Sequence, residues 1–173
     1  TAGSGADVVI GDNGYAVFAD GVRSQVGSTD PNAGGDDRIA AGDGDNIVIG
    51  GVGADTITVG TGGDLVLGDD GQVTFSGGVR AVMASLDPLF GGDDRISGRD
   101  GDKVVIGGAG NDAVTLGRGD SVVLGDNGVA RFAAGIRAEV SSTDPDSGGR
   151  DTIVIGGGNA VVLGGIDRDA VTT

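Results

Sequence analysis

Short apolar runs recur along this chain at regular intervals, each set off by Gly and Asp. Val8-Val9-Ile10, Ile47-Val48-Ile49, Leu65-Val66-Leu67, Val104-Val105-Ile106, Val122-Val123-Leu124 and Val161-Val162-Leu163 are apolar at every position. A second set, such as Asp37-Arg38-Ile39-Ala40 and Asp55-Thr56-Ile57-Thr58, keeps one central aliphatic between polar or small flanks. Runs this short, β-branched and bounded by Gly predict strands rather than helices. The two patterns predict two kinds of sheet. Strands with polar flanks leave one face in water, whereas strands apolar on both sides are buried on both sides and need a cover.

A third pattern supplies a candidate cover. Tyr15-Ala16-Val17-Phe18 and Val22-Arg23-Ser24-Gln25-Val26 flank Asp20-Gly21, and counterparts turn at Gly77-Gly78 and near Gly135. Asp-Gly between alternating runs predicts a β-hairpin. We expect each hairpin to lie over or beside the apolar sheet with its Phe anchored there. The alternative is that the apolar sheet is an interface with another chain, because a full-length exposed stripe would drive association.

These patterns belong to a tandem repeat. Gly11-Asp12-Asn13-Gly14 returns 57 residues later as Gly68-Asp69-Asp70-Gly71, and again as Gly125-Asp126-Asn127-Gly128. Phe18, Phe75 and Phe132 keep that phase, as do Arg23, Arg80 and Arg137 and the Asp-Pro pairs at Asp30, Asp87 and Asp144. The chain divides into the end of a preceding repeat (1–10), repeats at 11–67 and 68–124, and an incomplete repeat at 125–173. Thr1 shares its phase with Thr58, Thr115 and Thr172, as in an excerpt from a longer array.

Composition narrows the chemistry. Of 26 acidic residues only Glu139 is Glu, and the net charge is -15. Asp prefers turns, where its short carboxylate reaches backbone groups and hard cations. A strongly acidic chain lacks the basic face that nucleic acid or an anionic membrane requires. Cys and His are absent, which removes disulfides, zinc sites and thiol or imidazole catalysts. No run is long and apolar enough for a membrane span or signal peptide, so any export is directed by sequence outside these residues.

Inside each repeat lies a nine-residue period. Residues 41–49, 50–58 and 59–67 each read roughly x-G-x-G-x-D/N-x-U-x, with U a large aliphatic. Gly50-Gly51-Val52-Gly53-Ala54-Asp55-Thr56-Ile57-Thr58 and Gly107-Gly108-Ala109-Gly110-Asn111-Asp112-Ala113-Val114-Thr115 are full matches. The pattern resembles the calcium-binding nonapeptide of the repeats-in-toxin (RTX, hemolysin-type) family. The resemblance implies an all-β parallel β-roll or β-solenoid of stacked Gly-Asp turns, here with one inserted β-hairpin per 57-residue repeat.

In such a coil, turns two units apart stack on one side at about 4.8 Å, as paired strands require. Two carboxylates about 5 Å apart repel by about 0.8 kcal/mol even in water. A ladder of them calls for a cation, and calcium accepts carboxylates and carbonyls in flexible geometry. One edge carries Asp37, Asp55, Asp94, Asp112, Asp151 and Asp169, and the Gly-Asp turns at Asp12, Asp69 and Asp126 extend it. Several calcium ions are expected there. On the opposite edge Asn46 and Asp64 are candidate ligands. Their counterparts Lys103 and Ser121 are not, Ala160 replaces Asn46 in the third repeat, and no calcium is expected between Lys103 and Ser121. The competing reading is a metal-free solenoid of ordinary Asx turns. The repeated Arg residues are expected to pack and to neutralise nearby Asp.

The resemblance implies a secreted bacterial protein that folds in extracellular calcium. The expected role is non-enzymatic: a repeat of a surface fibre, adhesin stalk or matrix filament, self-associating through the apolar sheet or end to end. The alternative is a calcium-folding export module of a secreted enzyme or toxin. Catalysis is disfavoured because every prominent Asp obeys the repeat. Ice binding is disfavoured because Ala113 breaks the Thr row.

Overall fold

The computed structural model describes residues 2–173; Thr1, and with it the first position of segment 1–10, lies outside the described residues. Among the described residues the strands form three six-stranded sheets. The inner sheet contains β1 (Val8–Ile10), β5 (Ile47–Ile49), β7 (Leu65–Leu67), β11 (Val104–Ile106), β13 (Val122–Leu124) and β17 (Val161–Leu163), parallel and in that order. The outer sheet, also parallel, contains β4 (Arg38–Ala40), β6 (Thr56–Val59), β10 (Arg95–Gly98), β12 (Ala113–Leu116), β16 (Thr152–Ile155) and β18 (Ala170–Thr172). The cover sheet holds three hairpins: β2 (Gly14–Ala19) with β3 (Val22–Ser28), β8 (Gly71–Ser76) with β9 (Val79–Ser85), and β14 (Gly128–Ala133) with β15 (Ile136–Ser142). No helix is long and apolar enough to cross a membrane, among the described residues.

The coil climbs in unequal steps. Ile47 pairs with Leu65, and Leu65 with Val104, so rungs 18 residues apart alternate with rungs 39 apart. The longer step carries the hairpin. Gly supplies the left-handed backbone in the turns between, as at Gly53 (φ 121°) and Gly110 (φ 123°).

The apolar strands divide their side chains between two cores. Val48, Val66, Val105 and Val123 point to the outer sheet and pack with Ile39, Ile57, Ile96, Val114 and Ile153. Their neighbours Ile47, Ile49, Leu65, Leu67, Ile106 and Leu124 point the other way, onto Val26, Val73, Met83, Ala130 and Phe132 of the hairpins. Over β5, β7, β11 and β13 the inner sheet is thus buried on both faces, with the chain's own hairpins on the side where a partner chain was the alternative.

Two expectations need correction. The sheets are mixed rather than uniformly parallel, because the hairpins form an antiparallel sheet of their own. Val26 of β3 pairs with Val73 of β8, and Met83 of β9 with Ala130 of β14. The reason is geometric: each hairpin is two strands wide and sits over two rungs, so successive hairpins meet edge to edge. The Phe residues, second, are not equally anchored. Phe132 is buried and Phe75 packs against the core, but Phe18 is 58% exposed. It lies on β2, the outermost strand of the cover sheet, where no neighbouring hairpin overlies it.

Candidate metal-binding edge

Turns that lead from the inner to the outer sheet, such as residues 50–55, gather along one edge of the coil. Here the Asp ladder is built by backbone hydrogen bonds between rungs. The N–H groups of Asp37, Asp55, Asp94, Asp112 and Asp151 donate to Oδ1 of Asp55, Asp94, Asp112, Asp151 and Asp169 respectively, at 2.7–3.0 Å. Each carboxylate is held by the rung before it. The six sequence-predicted acids of this edge are therefore in one column.

The second oxygens are the informative ones. Oδ2 of Asp55, Asp94, Asp112 and Asp151 is buried and has no hydrogen-bond partner among the described residues. Orphaned carboxylate oxygens are costly in a folded interior. Burial pushes Asp55 up to about 7, Asp94 to about 8, Asp112 to about 9 and Asp151 to about 7, against the inter-rung N–H bonds and with neighbouring carboxylates adding to the rise. Glycine keeps the space beside these oxygens open. A Cβ on Gly50 would collide with Asp55 Oδ2 and the Gly68 carbonyl oxygen, and one on Gly68 with Asp94 Oδ2 and the Gly107 carbonyl oxygen. Gly107 and Gly125 repeat the arrangement with Asp112 and Asp151. Carboxylate and carbonyl oxygens thus converge over each glycine. That donor set, hard and anionic with neutral oxygens beside it, fits calcium. Among the described residues no three acidic side chains form a cluster, so carbonyls must supply much of any coordination shell.

Asp12, Asp69 and Asp126 lie on the same edge but do a further job. Asp69 accepts from Gly92 N (3.1 Å) and Ala109 N (2.5 Å), and Asp12 and Asp126 accept from the equivalent pairs Gly35 and Val52, and Gly149 and Ile166. Each clips the loop returning from its hairpin to the next rung. Burial pushes Asp69 up to about 10, with Asp94 adding repulsion. Sequence reasoning passed over Asp70, whose buried Oδ2 is also unpartnered, and Asp36 and Asp93, which accept from Ala54 N and Asn111 N. The Asp36–Asp93 repetition was the available signal; Asp70 is Asn in the other two repeats.

The opposite edge is built differently. Asn46 donates Nδ2 to Gly42 O, Gly44 O and Asp64 Oδ1, and Lys103 Nζ lies 3.0 Å from Asp64 Oδ2. Lys103 N donates to Ser121 Oγ. The ionic role expected of the repeated Arg residues is seen only at Arg137, whose charge helps hold the Asp120 carboxyl below its usual value after the Asn159 hydrogen bonds. Arg23 and Arg80 stack on Phe75 and Phe132, and Arg137 donates to Asp120 O; none forms an ion pair with Asp among the described residues.

Comparison with curated proteins and with solved structures finds no match to either. Comparison with protein families finds the RTX calcium-binding nonapeptide repeat, in four copies, at residues 33–66 and 90–123. Those segments contain Asp37, Asp55, Asp94 and Asp112 with their glycine turns. Residues 33–66 and 90–123 thus carry RTX (hemolysin-type) calcium-binding nonapeptide repeats, a calcium-binding structural repeat.

Proposed function

We propose that the chain is a non-enzymatic, calcium-stabilised repeat of a secreted bacterial surface fibre, adhesin stalk or extracellular matrix filament. The observation that carries this reading is the column of buried, unpartnered Oδ2 atoms at Asp55, Asp94, Asp112 and Asp151. Several calcium ions are held along that edge by Asp37, Asp55, Asp94, Asp112, Asp151 and Asp169 with adjacent Gly carbonyls, and Asp12, Asp69 and Asp126 contribute their remaining lone pairs. Calcium supplies the positive charge that the ladder lacks and so favours the coiled state where the ion is abundant, outside the cell. Asn46 and Asp64 contribute little, since Asp64 already faces an amide and an ammonium.

The fibre reading is supported by how one repeat joins the next. In this reading the building unit is 57 residues, two rungs with one hairpin. Neighbouring units are joined in all three sheets at once, which makes a stiff rod and lets copies add end to end. Electron microscopy of the protein with calcium and with a chelator tests it. Extended rods that assemble lengthwise only in calcium are expected; short monodisperse particles in both conditions would contradict the fibre role.

A further inference from the structure

Lys103 is the chain's only lysine and has no solvent exposure. It occupies the rung position between Asp64 and Ser121 on the second edge. Its Nζ lies 3.0 Å from Asp64 Oδ2, an ion pair without hydrogen-bond alignment, and donates to Gly62 O at 3.0 Å and Asp100 O at 3.4 Å. One carboxylate and two carbonyl oxygens are the donor types a hard cation collects.

The stem has a place made for it. Gly98 pairs with Val59 and Leu116, and Leu116 with Ile155, so one position of the outer sheet is aliphatic on every neighbouring rung and glycine only here. A Cβ on Gly98 would come 2.5 Å from Lys103 Cε and 2.8 Å from Cδ. Two departures from the repeat, five residues apart, therefore accommodate each other. Two rungs before Lys103, on the other side of Asp64, the Asn46 amide makes a neutral version of the same contact, bonding Gly42 O, Gly44 O and Asp64 Oδ1. Asp64 is thus engaged on both oxygens, unlike the acids of the first edge.

We infer that Lys103 is a tethered occupant of a cation pocket, holding Asp64 and the carbonyls of Gly62 and Asp100 in place of a calcium ion. These rungs take no metal, and the coil is calcium-held on one edge and pinned by its own ammonium on the other. The inference rests on the calcium reading of the first edge.

Calcium bound per chain, measured by equilibrium dialysis and atomic emission, tests it together with melting in saturating calcium. Lys103→Asp restores the residue type of the nonapeptide and should bind one more calcium than the wild type. Lys103→Met keeps the stem but strands Asp64, and should melt about 10 °C lower. Adding Asp64→Asn to Lys103→Met should recover most of that loss. An unchanged calcium count in a folded Lys103→Asp overturns the inference, as does a Lys103→Met protein that melts with the wild type. If Lys103→Asp does not fold, the Met and double variants decide. Wild type that binds no calcium fails the calcium reading and takes the inference with it; wild type that binds calcium, with variants behaving identically, fails the inference alone.

Discussion

Arg80 of the second hairpin lies over the ring of Phe132 in the third, its Cζ 4.9 Å from the centroid. Arg23 repeats the contact on Phe75 at 5.7 Å. The repeated Arg and Phe therefore tie different hairpins together rather than one hairpin to itself. The guanidinium shields the ring from water and is attracted to its face.

Residues at one phase of the repeat should then differ in value. Phe132→Ala should cost about 3 kcal/mol or more, as for a buried aromatic, and Phe18→Ala less than about 1 kcal/mol. A double-mutant cycle on Arg80 and Phe132 should return a coupling of about 1 kcal/mol. Urea unfolding in saturating calcium measures all of these. Equal losses at Phe18 and Phe132 would mean that the inter-hairpin contact contributes nothing.

Glycine at position 68 should be irreplaceable, and glycine at position 35 should not. A Cβ at Gly68 collides with Asp94 Oδ2 and the Gly107 carbonyl oxygen, whereas one at Gly35 meets nothing within 4 Å. Gly68→Ala should weaken calcium binding at least about tenfold, since displacing two ligands costs about 1.4 kcal/mol or more. Gly35→Ala should bind like the wild type. Calorimetric titration compares them, and matching affinities would place the metal elsewhere.

Much of this was legible in the chain because stacking is one-dimensional. Once Asp37 and Asp55 fall 18 residues apart on one edge, the coil brings them into register without further information. The continuously apolar Ile47-Val48-Ile49 likewise announces a sheet covered on both sides. Edge partners were not legible. Alternation in Val22–Val26 gives the faces of a strand but not that Val26 will pair with Val73 of another repeat. Nor does a Gly-Asp turn reveal that Asp69 spends its carboxylate on Gly92 and Ala109, because those acceptor contacts depend on where the hairpin's return loop lands. Phe18 and Phe132 share one phase of the repeat and differ in what surrounds them: Phe132 lies on an interior strand under Arg80, Phe18 on the edge strand.

The metal-free protein should become more stable as pH falls from about 9 to about 5. Asp55, Asp94, Asp112 and Asp151 have folded values of about 7 to 9, above the ordinary 3.8, so the folded chain binds protons that the unfolded chain releases. Protonation through that window therefore favours folding, and the gain ends once the unfolded acids protonate as well. Asp43, Asp93 and Asp120 work oppositely: backbone N–H bonds from Thr61, Asn111 and Asn159 hold them below the usual value, so their contribution is lost only as pH drops below about 3.8. Calcium competes with protons for the raised group, so its affinity should fall as pH falls from 9 to 5. A chelated protein whose melting temperature is flat or falls over that range would show the ladder to be solvated.

The most direct test of calcium as the ion that holds this coil is thermal unfolding at neutral pH, followed by circular dichroism, with calcium and with a chelator. Each site at 100 times its dissociation constant adds about 2.7 kcal/mol, so several sites shift the transition by roughly 15 °C or more. The calcium-loaded protein is expected to melt cooperatively and high, and the chelated protein far lower or without a transition. Superimposable transitions in the two conditions would contradict the account.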